Sequence, residues 1–226
     1  MWWNDLFMFF LPVNCLVCKK KLSSPREVLC LECEFNLPRT EFHDPVNNPV
    51  SRAFWGRVPV EMGTSLLRFE KGSAYQGLLH DLKYRRNLRA GLYLGRLLGN
   101  EIIHSSFSSC DVIIPVPIHR KRLKKRGFNQ SDIIAAGTSE ITGIPVVTNL
   151  LIRSVHHHSQ TSMGRYDRYE NISGNFRINH NAPDMNEKKI LLVDDVITTG
   201  STLEACSFEL LKNFRCMIYI ATVSMA

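Results

Sequence analysis

Apolar residues along the chain fall into two periodicities. Short continuous runs at Met62–Phe69, Asp111–Val116, Val146–Ile152, Ile190–Val193 and Met217–Val223 predict strands, with a further short strand at Phe176–Asn179. Between them, Leu78, Leu79 and Leu82, then Leu94, Leu97, Leu98 and Ile102, supply apolar faces at helical spacing. These predict helices over 74–85 and 88–104. Helices also follow at 129–142, closed by Gly143-Ile144-Pro145, and at 203–211. Strands alternating with helices imply an α/β fold: a parallel sheet flanked by helices, joined by right-handed crossovers. The polar stretch Ser154–Asn171 is too long for a simple connector and reads as a functional loop.

One run carries more chemistry than the rest: Ile190-Leu191-Leu192-Val193-Asp194-Asp195-Val196-Ile197-Thr198-Thr199-Gly200-Ser201-Thr202. Four aliphatic residues in succession suit a central strand covered on both faces. Asp194 and Asp195 stand where that strand ends, the side on which open α/β sheets bind ligands. Thr198, Thr199, Ser201 and Thr202 supply hydroxyls, and Gly200 lets the chain turn and a ligand approach the backbone. The helix that follows points its positive end at this loop, which makes an anion site. A phosphate in the loop beside two carboxylates describes a sugar phosphate whose diol is held by Asp194 and Asp195.

The other end of the chain carries Cys15-Leu16-Val17-Cys18 and Cys30-Leu31-Glu32-Cys33, two knuckles eleven residues apart. Four thiolates at this spacing suit a closed, structural zinc site. Disulfides fit poorly without a sign of secretion, and a redox motif need not occur twice. Cys110, Cys206 and Cys216 stand in apolar contexts as core thiols. Residues 1–45 therefore read as an amphipathic helix plus a zinc module, 46–60 as a linker rich in proline and asparagine, and 61–226 as the main domain. The apolar opening, from Met1 to Val13, is too short to span a bilayer and lacks a cationic leader. The expectation is a cytoplasmic protein without a transmembrane segment, its first helix packed on the rest, with peripheral contact at the inner membrane as the alternative.

The 226 residues allow one sizeable core and a small appendage, and 44% hydrophobic with 22% charged residues is ordinary for a globular chain. The net charge of +7 is unevenly spread. Arg120, Lys121, Arg122, Lys124, Lys125 and Arg126 follow the strand end Val112-Ile113-Ile114-Pro115-Val116-Pro117, in what reads as a loop. Such a run serves as a solvated surface, a pyrophosphate clamp or a patch for single-stranded DNA.

The run at 190–202 closely resembles the binding motif for phosphoribosyl pyrophosphate (PRPP) of type I phosphoribosyltransferases. The whole chain is similar to ComF-type proteins, phosphoribosyltransferase-like competence proteins of bacteria. The motifs behind this resemblance are the paired Cys-x-x-Cys module, Leu82-Lys83-Tyr84, residues 112–117, Arg126-Gly127-Phe128-Asn129-Gln130, residues 193–202, and Ser159-Gln160-Thr161 with Arg165, Arg168 and Asn171. His156-His157-His158 departs from the family pattern. The resemblance implies a type I phosphoribosyltransferase-like sheet that binds PRPP or a ribose 5-phosphate. Asp194 and Asp195 would hold the ribose hydroxyls, and Val196, Thr198, Thr199, Gly200, Ser201 and Thr202 the 5′-phosphate. Pro115 and Val116 would lie at the pyrophosphate with Mg2+, while Arg165 and Arg168 would close a loop over it. It also implies a part in DNA uptake, with DNA-uptake proteins as partners.

Two classes of function stay open on the sequence. One is a glycosyltransferase with an unidentified acceptor; the other is a non-catalytic module that handles single-stranded DNA or regulates, keeping the PRPP pocket. Lys83, Arg126 and Gln130 are each read either as pocket residues or as ordinary surface and cap positions.

Overall fold

Ile190, Leu191, Leu192 and Val193 are all fully buried, because their strand is one of the two inner members of a sheet covered on both faces. The computed structural model describes residues 13–42, 44–68, 72–153 and 176–226. The main sheet contains β1 (Met62–Arg68), β2 (Val112–Pro115), β5 (Lys189–Ile197) and β6 (Met217–Met225), in the order β1-β6-β5-β2. Every pairing in it is parallel. Side chains alternate across β5. Leu191 and Val193 join an apolar cluster with Leu78, Leu82, Leu94, Leu98 and Ile134. Ile190 and Leu192 join the opposite one with Phe54, Leu203, Cys206 and Leu210. The expected α/β class, a parallel sheet between helices, is the class observed.

Helices α3 (Gln76–Arg85), α4 (Leu88–Ile102) and α6 (Gln130–Thr142) supply the first cluster, and α7 (Ser201–Asn213) the second. Helices α4 and α6 approach closely. A Cβ on Gly95 would lie 2.2 Å from the Ile134 carbonyl oxygen, and one on Gly137 would lie 2.3 Å from that of Leu92. Glycine in a helix costs about 1 kcal/mol against alanine, so packing must offset that cost here.

The cysteine-bearing segment packs on the same face. Cys15, Leu22, Val28, Leu29, Cys33 and Leu37 belong to the cluster that contains Leu191. Its short helix α1 (Leu31–Phe35) is followed by residues 37–40, which run along the outer edge of β1. There the Thr40 N–H donates to the Leu66 carbonyl at 3.1 Å and the Arg68 N–H to that of Pro38 at 2.8 Å.

Three expectations are corrected. The stretch at 46–60 is not a free linker: Asn48 caps the short helix α2 (Pro49–Arg52), and Val50, Phe54 and Val58 are buried. Proline at the first helical position after an asparagine cap starts a helix as readily as it marks a tether. The run Arg120–Arg126 is a helix, α5, not a loop, entered at His119 and closed by Gly127 with φ 84. Its lysines, arginines and leucine are good helix formers. The strand expected at 146–152 breaks at a turn over 148–150. Val146 keeps a single parallel bridge to Ile113. Beyond the turn, β3 (Leu151–Arg153) pairs antiparallel with β4 (Phe176–Ile178).

Gly95→Ala should destabilise the protein by about 1–3 kcal/mol, because the new methyl group meets a backbone oxygen that cannot move aside alone. Urea unfolding of the variant beside the parent chain checks this. Equal or greater stability would show that the two helices separate at little cost.

Candidate functional site

Asp194 and Asp195 lie in β5, at the end of the sheet where the parallel strands finish, and both are buried. Two adjacent carboxylates removed from water repel each other unless they find partners. Asp194 Oδ1 accepts from the Ser131 hydroxyl of α6 at 2.9 Å and from the Asp195 N–H at 2.8 Å. The Lys83 ammonium, from α3, stands 2.6 Å from Asp195 Oδ2. That contact is an ion pair without hydrogen-bond alignment, since the same oxygen has no hydrogen-bond partner among the described residues. Burial, then the neighbouring Asp195 charge, push the Asp194 carboxyl up to about 7; the Asp195 N–H, Ser131 and Lys83 oppose the rise without cancelling it.

Residues 198–200 leave the strand as an open bend, and α7 begins at Ser201. Gly200 has φ 77, and a Cβ there would come within 3.2 Å of the Phe54 ring. Glycine is therefore favoured by its positive φ, and the buried ring leaves little room for a side chain. Thr199 and Ser201 are exposed, with their hydroxyl oxygens 2.9 Å apart. The first N–H groups of α7 have no carbonyl within the helix to serve them. Hydroxyls and N–H groups thus converge beside the carboxylates. Val196 and Thr202 border the same depression.

Arg57 supports the loop from outside. Its Nη1 donates to the Thr199 and Ala53 carbonyls, both at 2.9 Å, and its other nitrogen pairs with Glu204 in α7. Sequence reading missed Arg57 because 142 residues separate it from Thr199.

Pro115 ends β2, and the Val116 N–H donates to the Val193 carbonyl at 2.9 Å. Asn129 Nδ2 holds this corner through the Val116 carbonyl at 3.1 Å and Asp132 Oδ1 at 2.6 Å. Burial pushes the Asp132 carboxyl up to about 6, against the lowering effect of Asn129. The structure thus brings Pro115 and Val116 onto the strand next to the carboxylates. Arg120, Lys121, Arg122, Lys124 and Lys125 are exposed on α5. Arg126 turns inward, donating to Gln130 Oε1 at 2.8 Å and lying 5.3 Å from the centre of the Tyr84 ring. Arg165, Arg168 and the other residues singled out between 154 and 171 lie outside the described residues.

The sulfurs of Cys15, Cys18, Cys30 and Cys33 all lie within 4.8 Å of one another, and those of Cys18 and Cys30 are 3.5 Å apart. A tetrahedral zinc with bonds of about 2.3 Å spaces its sulfurs by roughly 3.8 Å. Donor set and spacing both fit that ion, with no ligand position left for water. Burial and the neighbouring thiols push Cys33 up to about 12. The Tyr75 hydroxyl donates to the Cys33 carbonyl at 3.1 Å, which joins this module to the start of α3. No helix among the described residues is long and apolar enough to cross a membrane.

A phosphoribosyl transferase domain family matches residues 124–226. The chain is 36% identical to competence protein F of Haemophilus influenzae over 102 residues, which span 45% of this chain and 44% of that protein. It is 28% identical to the DNA utilization protein YhgH of Shigella flexneri over 204 residues, 88% of this chain and 84% of that one. Among solved structures it is similar to the glutamine PRPP amidotransferase of B. subtilis complexed with ADP and GMP. That likeness has a TM-score of 0.42 and 21% identity, over 58% of this chain and 25% of the other.

Asp194 makes stability depend on pH. Its folded value of about 7 lies above the ordinary 3.8. Between these values the unfolded chain has lost a proton that the folded chain retains, so stability falls as pH rises through the window. Asp194→Asn should therefore match the parent near pH 4 and exceed it by up to a few kcal/mol above pH 7. Thermal melts at both pH values check this. A gap that does not widen with pH would mean that the carboxylate is not strained.

Proposed function

We propose that the chain, similar to competence protein F, ComFC and YhgH, is a ComF-type, phosphoribosyltransferase-like protein that binds PRPP or a ribose 5-phosphate between the carboxylate pair and the loop at 198–202. The observation that carries this reading is two carboxylates beside an open, hydroxyl-lined helix start at the end of one strand. Asp194 and Asp195 accept from the ribose 2′- and 3′-hydroxyls. The 5′-phosphate takes hydrogen bonds from Thr198, Thr199, Ser201 and Thr202 and from the first N–H groups of α7. Lys83 offsets the charge of Asp195.

In the transferase reading, the bond from ribose C1 to pyrophosphate breaks as an acceptor attacks C1. Positive charge develops on the ribose ring, and the carboxylates stabilise it. Pro115 and Val116 fix the strand end facing the departing pyrophosphate. Mg2+, when bound with that group, neutralises part of its charge. The cysteine cluster holds one structural zinc. The names borne by the relatives, for competence and for DNA utilization, support a role in the handling of DNA. The exposed cations of α5 offer phosphate contacts for it.

Titration calorimetry with PRPP and Mg2+ tests the site. Asp195→Asn and Thr199→Val should each weaken binding about tenfold, as expected when one hydrogen bond to a charged group is lost. Unchanged affinity in both variants would rule the placement out.

Metal analysis of protein purified without added metal should give one zinc per chain, and Cys15→Ser should abolish it. Zinc affinity should fall in acid, where protons compete for the thiolates. Four freely titratable thiols and no zinc would refute the assignment.

A further inference from the structure

Two compartments meet at Lys83, the partner of Asp195. The first is a cleft along α3, bordered by Gln76, His80, Lys83 and Tyr84, with Val196 of β5 beside it. The second is a basin between α3 and α5, bordered by Lys83, Tyr84, Arg86, Arg122, Lys125 and Arg126. Lys83 and Tyr84 border both, so the two are continuous. They enclose about 520 and 390 Å³, against about 50 Å³ at the loop. Each is in the size range of small-molecule sites.

The chemistry of the two compartments differs. The cleft presents aromatic surface: the His80 and Tyr84 rings stand 4.8 Å apart, one helical turn from each other, and Tyr84 is 64% exposed. The basin presents cations. Arg86, Arg122 and Lys125 have no carboxylate partner among the described residues, and only Lys83 is neutralised, by Asp195. Arg86 closes α3 in the left-handed region, with φ 53, which few non-glycine residues adopt. Its guanidinium lies against Gly127, where a Cβ would come within 3.3 Å of it. The basin's cations thus come from α5 and from the C-terminal end of α3, and a stacking surface adjoins them.

We propose that this continuous cleft is a second ligand site, for a nucleoside 5′-phosphate. The heterocycle lies on Tyr84 and His80, and the phosphate lies among Arg86, Arg122 and Lys125. A phosphate or pyrophosphate alone would fill the basin and leave the aromatic face uncovered. An uncharged base would leave the cations unmatched. A phosphorylated heterocycle satisfies both. The inference rests on the proposed function only in assigning the other phosphate, that of the ribose 5-phosphate, to the loop at 198–202.

Titration calorimetry on the full chain, with AMP and CMP beside adenosine and cytidine, tests this. The monophosphates should bind at least tenfold more tightly than the nucleosides. Arg122→Glu/Lys125→Glu should remove that advantage while leaving ribose 5-phosphate affinity within twofold. Tyr84→Ala should weaken the monophosphates at least fivefold. Thr199→Val should weaken ribose 5-phosphate and leave AMP unchanged. The proposal is overturned if AMP follows the Thr199 variant and ignores the charge reversal, because AMP would then occupy the loop. Equal loss of ribose 5-phosphate and AMP on charge reversal would overturn it too, as would binding of oligonucleotides without binding of mononucleotides. If ribose 5-phosphate fails to bind the parent chain while AMP behaves as expected, only the reading of the loop fails.

Discussion

Two carboxylates, side by side and out of water, are the constraint around which this fold is arranged. Asp194 and Asp195 lie near the end of a strand whose preceding residues are sealed on both faces, so their repulsion cannot be relieved by solvent. Relief comes from three directions: a hydroxyl on α6, a backbone N–H within the strand, and an ammonium on α3. For Lys83 and Ser131 to reach one spot, the helices over this face must be held firmly. The glycine contacts between α4 and α6 provide part of that grip. A groove that holds two uncomfortable carboxylates is well prepared for a diol, because each hydroxyl donates a hydrogen bond where the pair has acceptors to spare.

The support on the other face has the same logic. Phe54 lies beneath Gly200, and Arg57 holds the Thr199 carbonyl and Glu204. The loop is therefore shaped from below and from outside, while its hydroxyls stay open. The segment that supplies both residues comes before the first strand, so the start of the domain shapes a loop near its end.

Much of this was legible in the sequence. The aliphatic run before Asp194 announced a doubly covered strand, because a short apolar run that ends in an acid pair and a glycine turn suits a central strand of a parallel sheet. Asp194, Asp195 and the loop were readable for the same reason: strand, acid pair and glycine turn are local in the chain. The cysteine knuckles carried their own spacing. What escaped were pairings between distant segments. Lys83 on Asp195 and Arg57 on Thr199 depend on tertiary approach, which no local pattern encodes. The run at 120–126 was mistaken for a loop because its charge dominated the reading, although its residue types favour a helix. The stretch at 46–60 was mistaken for a linker because its prolines and asparagines mark helix starts as well as tethers. Gly91, Gly95 and Gly99 recur at four-residue spacing, a signal of close helix packing that was visible and went unused.

Residues 37–40 run along β1 and occupy hydrogen-bonding groups that an edge strand would otherwise present to solvent. At the far side, residues 145–147 do the same for β2, exchanging bonds with Ile113 at 2.8 and 2.9 Å. Both margins of the sheet are therefore closed to a second chain. The strip that follows the cysteine module thus covers backbone that a second strand could otherwise pair with. A descendant that shed this strip would uncover the backbone of Leu66 and Arg68 and offer it for intermolecular pairing.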